Sequence, residues 1–515
     1  MAATDDSPSS PNSITPANMA ALTPADGGVA PPLLRMPAEI LQQIASHLTT
    51  PDYGRFRMAC KHLEVSFFNA FTREFFMKKQ FMITTFSLQA LIDMSESRMA
   101  DAMRHIIFGL ESPMAFFDYY HVAHNIQTPL QKYNLTAHLG QHTALLDCAY
   151  DIEMMSQAFA KLKNLDTVEI RDFRSYRTRD QTRWKSYGVT TFEEETGRRM
   201  TYQTSHSDMD KARIARSFQN ILRALGKTDT RPKRFEVNTR GSGLFDMAFE
   251  IQRYDEPRFL PLLAGLEALY LDLGLGLGRP SILVADEEDG HHECVGYYLR
   301  KFLPRVHNLR VLRVNFAQMG LIAAGFLTWF QAIQPIELPG TNSDDPGGLP
   351  RAPPPMYFKN LEHLEIGKVD LRPELLLGLL KKYRNTLKTL VIHRVGLKHD
   401  SPKGSKVNHW TKFFNRMAEL DLNITTLTMS HLGQIKEDAP ARDFITFKDS
   451  NPPKVRSWGG EDLGGALKDF VNDMEVEWPP EADSPNSESS DSEESTDEVT
   501  EDSDEENAMD LAEAE

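Results

Sequence analysis

Residues 361–392 read LEHLEIGKVDLRPELLLGLLKKYRNTLKTLVI, and this stretch decides the fold. Leu364 and Ile366 alternate as on a strand with one buried face, and Leu361 covers the turn before them. Residues 372–384 then place Leu375, Leu376, Leu379, Leu380 and Tyr383 on one helical face. Leu387, Leu390 and Ile392 repeat the first pattern. Strand, crossover helix and strand in succession imply a parallel sheet with helices outside it.

Outward from this stretch, the unit Leu-x-x-apolar-x-apolar occurs six times, starting at Leu165, Leu266, Leu309, Leu361, Leu387 and Ile424. It is similar to the core of a leucine-rich repeat, whose usual period is about 20–29 residues. Only the step from Leu361 to Leu387 keeps that period. Residues 171–265 lack a clear copy, although Phe235 and Val237 suit a degenerate one. Long polar segments at 338–355 and 398–410 read as insertions. The fold class is α/β: an N-terminal helical module, then an irregular leucine-rich-repeat-like solenoid with a parallel sheet. An ordinary α/β domain with leucine-rich strands is the alternative.

Residues 36–63 read MPAEILQQIASHLTTPDYGRFRMACKHL. Pro37 suits a first helical turn, and Ile40, Leu41, Ile44 and Leu48 form an apolar stripe behind it. Thr50 suits the cap of a second helix, with Pro51 at its first position and Asp52 against the dipole. Phe56, Cys60 and Leu63 supply that helix's apolar positions. Two such helices cannot enclose their own apolar surface, and exposed apolar faces mark partner surfaces.

This segment resembles the F-box: Pro37, Glu39, Ile40, Leu41, Ile44, Leu48, Asp52, Cys60 and Lys61 follow its pattern in order and spacing. Met36 and Tyr53 depart from it. The stretches at 73–82, 87–95 and 105–111 resemble a group of fungal F-box proteins. The resemblance implies a substrate-recognition subunit of a cullin–RING, SCF-type ubiquitin ligase. Such a subunit docks a Skp-type adaptor through Pro37, Ile40, Leu41, Ile44, Leu48, Phe56, Cys60 and Leu63. The chain itself then needs no catalytic residue, because its mechanism is proximity. Two alternatives are an F-box scaffold without ubiquitin transfer and a nucleic-acid-associated protein.

The expected organisation is a disordered N-terminus over 1–32, the F-box over 33–78 and a helical linker region over 79–160. The repeat domain covers 161–455, an extension 456–480 and a disordered acidic tail 481–515. Within the helical stretch from about Leu33 to Ala160, Phe67, Phe71 and Phe75 recur every fourth residue, the spacing of a buried helical face. Of the 73 acidic residues, sixteen lie in 481–515, which has no Lys or Arg; the remaining acids equal the 57 bases in number. The acidity therefore belongs to the tail and gives no general argument for nucleic acid or membrane. Ser490, Ser495 and Ser503 each precede a Glu by three residues, the spacing acid-directed kinases prefer. Three scattered cysteines, no signal-peptide pattern and no run of 18 apolar residues point to cytoplasm or nucleus.

Other constellations lead to plainer readings. Gly274, Gly276 and Gly278 suggest a dinucleotide loop, but Arg279 stands where its third glycine belongs. Residues 286–294 (DEEDGHHEC) hold every metal-ligand type, yet adjacent His291 and His292 cannot face one ion from a helix. Residues 171–188 interleave five Arg with Phe173, Tyr176, Trp184 and Tyr187, a composition that suits a protein interface before nucleobase stacking. No Walker loop, HExxH or GxSxG occurs. The expectation is a non-enzyme without cofactor or metal.

Substrate selection is expected on the sheet. The residue between the two buried apolar positions of each unit points to the opposite face. That rule selects Glu169, Tyr270, Arg313, Glu365, Val391 and Thr428, with His393 among the next outward positions. Glu169, Tyr270, Arg313, Glu365 and His393 are the substrate-binding candidates, and their mixed chemistry suits a protein ligand.

Overall fold

The computed structural model describes residues 31–116, 128–176, 183–200, 208–241, 243–274, 296–316, 321–333, 353–402, 405–437, 442–448 and 450–478. Gly276, Gly278, residues 286–294, and Ser490, Ser495 and Ser503 with the rest of the tail lie outside them, as do residues 1–30. The chain divides into two units between Phe71 and Thr72.

The first unit is helical. Pro37 precedes α1 (Ala38–Ser46). Thr49, one residue before the expected cap, accepts from the Asp52 N–H at 3.4 Å and starts α2 (Thr50–Met58). This helix stops at Met58, and α3 (Lys61–Phe75) begins anew, so Leu63 belongs to a third helix and not to the second as expected. Tyr53 meets Phe67 edge-on at 5.5 Å, and Phe56 tilts against Phe67 at 5.4 Å. Phe67 and Phe75 are buried, as a helical aromatic face requires.

The second unit is built on one 13-stranded sheet. Its first strands, β1 (Lys78–Met82) and β2 (His105–Gly109), are separated in sequence by α4 (Thr85–Ser95). Next come α5 (Pro129–Asp147), α6 (Tyr150–Phe159) and β3 (Thr167–Arg171). A small hairpin, β4 (Ser175–Tyr176) with β5 (Arg183–Trp184), stands apart from the sheet. After α7 (Val189–Thr196) and α8 (Asp208–Gly226), β6 (Arg234–Asn238) rejoins it. Then α9 (Glu256–Gly265), β7 (Ala268–Leu273), α10 (Tyr297–Phe302) and β8 (Val311–Phe316) alternate. They continue with α11 (Leu321–Gln331), β9 (His363–Leu371), α12 (Pro373–Tyr383), β10 (Thr389–His399) and α13 (His409–Ala418). The last elements are β11 (Thr426–Ser430), β12 (Gly433–Lys436), β13 (Arg442–Phe447), β14 (Val455–Gly459), α14 (Leu463–Asp473) and β15 (Met474–Glu477).

From β1 to β10 the sheet strands lie in sequence order and pair in parallel, as strand–helix–strand succession dictates. Strands β11 and β12 both pair in parallel with β10, and antiparallel β13, β14 and β15 complete the sheet. The sheet thus starts at Lys78, the last residue expected for the F-box, crosses the region expected to be a helical linker and runs through the expected extension. Its early strands were hidden because Phe81 and Ile106/Phe108 alternate without a leading leucine. The degenerate copy at Phe235 and Val237 is strand β6.

Alternate strand residues such as Val168, Ile170, Leu312, Val314, Leu390 and Ile392 join helical residues such as Phe159, Phe218, Leu380 and Phe414 in one core. Each such side chain contributes about 1.5–3 kcal/mol when fully buried. In β9, β10 and between β11 and β12 the alternation slips by one: Ile366 and Val369, Ile392 and Val395, and Met429 and Leu432 are all core residues. Lys368, Arg394 and His431 absorb the extra residue with left-handed φ of 56°, 53° and 51°.

Candidate docking helices and sheet face

The face of the sheet away from this core is polar and in register. Opposite one another, strand by strand, stand Glu169, Glu236, Tyr270, Arg313, Glu365, Val391 and Thr428. The sequence rule therefore selects residues on the face opposite the core. Accessibility differs from expectation: Glu169, Tyr270, Glu365 and His393 are buried, and Arg313 is half-buried and paired with Glu365 at 3.1 Å. Strands only about 4.8 Å apart bring long side chains in register against each other, so they cover one another. Arg234 donates to the Tyr270 hydroxyl at 3.2 Å. His393 Nδ1 lies 2.7 Å from Ser430 Oγ, and burial with nearby basic residues pushes its pKa down to about 2.

At the β2–β3–β6 end, His105 Nε2 lies 2.9 Å from Glu169 Oε2, and Arg171 pairs with the other Glu169 oxygen. Among the described residues, His105, Glu169 and Glu236 form the one group able to offer three metal-ligand atoms within 4.8 Å. Their oxygens already accept from Arg171, Asn238 and Arg234, so guanidinium and carboxamide groups stand where a cation would. Sequence reading missed His105 because it lacked strand β2, and missed Glu236 with its neighbours Arg234 and Asn238 because the outward-face rule was not applied to the degenerate copy at Phe235 and Val237.

Phe173, Trp184 and Tyr187 of the segment 171–188 are half-buried, and each is engaged within the chain. Phe173 is flanked by the Arg171 and Arg240 guanidiniums at 4.5 and 4.4 Å, Trp184 stacks on Phe75, and Tyr187 stacks on Phe86. His138 and His142, one turn apart on α5, line a cleft of about 300 Å³. His138 is bound to Glu195 at 2.7 Å and His142 to Ser112 at 3.0 Å.

In the first unit the expected docking set splits. Leu41 and Leu63 are buried; Leu48, Phe56 and Cys60 are half-buried; Pro37, Ile40 and Ile44 are exposed. Ile40 and Ile44, one turn apart on α1, are 43% and 36% exposed, and Met36 beside them is 37% exposed. Leu41 and Ala45, at 1% and 2% exposure, form the covered edge of the same helix, and packing rather than helical spacing separates them from the open Ile40 and Ile44. An apolar strip left open on so small a unit is the geometry of a docking helix.

Residues 33–64 match the F-box domain. F-box domains bind Skp-type adaptors in SCF complexes, and they act as non-catalytic adaptors. The F-box here keeps Tyr53 buried under Phe67 and Phe71, so the departure from the pattern at that position serves its interior. Arg57 supports the same interior, its guanidinium 4.2 Å from the Phe71 ring and 3.2 Å from Glu64. Met36, Pro37, Ile40, Ile44 and Met58 are exposed apolar residues of the segment's first two helices and the turn before them. Comparison with curated proteins found no match.

Proposed function

We propose that this protein is a substrate-recognition subunit of an SCF-type ubiquitin ligase, docking a Skp-type adaptor through its F-box and a protein substrate through the large sheet unit. The observation that carries the reading is the F-box match over 33–64 together with the open strip of Ile40 and Ile44. The body, whose stretches resemble those of fungal F-box proteins with leucine-rich-repeat-like regions, supplies a second, separately built surface. Its mixed acidic, basic and hydroxyl face suits a protein ligand over a uniformly charged polymer. Because Tyr270 is buried, Arg313, Thr428 and the long polar loops are the better substrate contacts. The chain acts by proximity, raising the effective concentration of a substrate lysine near charged ubiquitin. Purifying the tagged full chain from cells with the proteasome inhibited tests it. Adaptor and cullin should co-purify together with ubiquitinated proteins. Recovery of the adaptor without a cullin would favour a scaffold instead, and recovery of neither would overturn the reading.

A further inference from the structure

The sheet carries three basic residues at one level. Lys368, Arg394 and His431 occupy equivalent places, since pairing keeps one register on either side of them. Gly367 and Val369 oppose His393 and Val395, and Ser430 and Gly433 oppose His393 and Gly396. All three are half-buried, and all three act on His393. Lys454 adds a fourth: its carbonyl accepts from the His431 N–H at 2.8 Å, and its ammonium lies 5.5 Å from the exposed Phe444 ring.

The last described strand before the acidic tail lies three strands from this strip. Glu477 in β15 stands opposite Phe444, Phe444 opposite Gly433, and Gly433 opposite Gly396, two residues past Arg394. Three strand spacings are about 15 Å, a distance that about five extended residues span. Residues 481–515 bring sixteen carboxylates and no base. We propose that residues 481–515 dock on the strip formed by Lys368, Arg394, His431 and Lys454 of the same chain, shielding this part of the sheet face from other anionic segments. Phosphate at Ser490, Ser495 or Ser503 adds about 1.5–2 negative charges each and tightens the contact. The contact needs neither adaptor nor substrate, so it stands apart from the ligase reading.

Carbodiimide cross-linking of the full chain, which joins carboxylates to lysines without a spacer, tests it. A mixture of isotopically light and heavy protein separates contacts within one chain from those between chains. Tail cross-links should concentrate on Lys368 and Lys454 and fall about tenfold in 1 M NaCl, where the Debye length is about 3 Å. In the R394N/H431N variant they should fall about threefold or more, because Asn tolerates the left-handed backbone while removing both basic groups. Tail cross-links spread over surface lysines such as Lys132 and Lys163 would overturn the proposal. So would links that persist unchanged in salt, or that join light to heavy chains; the wild-type salt series decides even if the variant fails to fold.

Discussion

Glu169 and Glu236 stand opposite each other on β3 and β6 and share one donor: Asn238 Nδ2 lies 2.9 Å from Glu169 Oε1 and 3.1 Å from Glu236 Oε2. Against the cost of its burial, Arg171 and His105 hold Glu169 well below the usual carboxylate range. Burial, and then the Glu169 charge, push Glu236 up to about 7.

A carboxyl whose folded pKa lies above its unfolded value binds more protons when folded. Stability from Glu236 is therefore present below the unfolded value of 4.5 and is lost as pH rises toward 7. The loss is of order 3 kcal/mol. Glu236→Gln should remove it, raising the melting temperature relative to wild type at pH 8 and less so at pH 5. Equal differences at both values would show that Glu236 does not titrate in this window.

On α1, Ile40→Lys with Ile44→Lys should cut adaptor recovery at least about tenfold while leaving the melting temperature nearly unchanged, since exposed substitutions usually stay within about 0.5 kcal/mol. Leu41→Lys should instead unfold the F-box, because Leu41 is 1% exposed and an unpaired buried charge costs several kcal/mol. A folded Ile40/Ile44 double variant that still binds the adaptor would remove this strip from the interface.

Gly367 lies under the Asn315 side chain, and a Cβ there would collide with Asn315 Oδ1. Asn315 is 1% exposed, with neither carboxamide atom bonded. Gly367→Ala should destabilise by about 1–3 kcal/mol. Asn315→Ala in the same chain should restore most of that loss in a double-mutant cycle measured by denaturant unfolding. Additive effects would mean the two residues do not compete for the same space.

Lys382 on α12 ties three carbonyls together: its Nζ donates to Phe330 and Met356 at 2.6 Å and to Ala332 at 2.9 Å. Lys382→Met keeps the stem but strands these acceptors, so about 2 kcal/mol or more of stability should be lost. Proteolysis should then accelerate between residues 332 and 356, the stretch whose ends the lysine holds. Unchanged stability and cleavage would count against the tie.

The strand–helix–strand reading of 361–392 extends to the parallel strands from β1 to β10 because period-2 and period-3.6 apolar spacing are local properties of the chain. The same locality explains the strands missed at Phe81 and Ile106, whose apolar runs lack the leading leucine that marks the repeated unit. It also explains the Thr49 cap, since Thr49 and Thr50 offer the same hydroxyl and only backbone geometry chooses between them.

The sequence by itself determined the parallel sheet over 361–392, the polar face opposite its core, the F-box segment and the separation of a charge-neutral body from an acidic tail. Each follows from residue type at fixed spacing. Only the tertiary structure decided that Leu41 turns inward while Ile40 and Ile44 stay open, because burial depends on what packs against each side of a helix. It alone decided that Glu169, Tyr270, Glu365 and His393 cover one another, since their neighbours come from strands tens of residues away. It also brought Lys368, Arg394 and His431 to one level of the sheet, a match of register that no single stretch of the chain encodes.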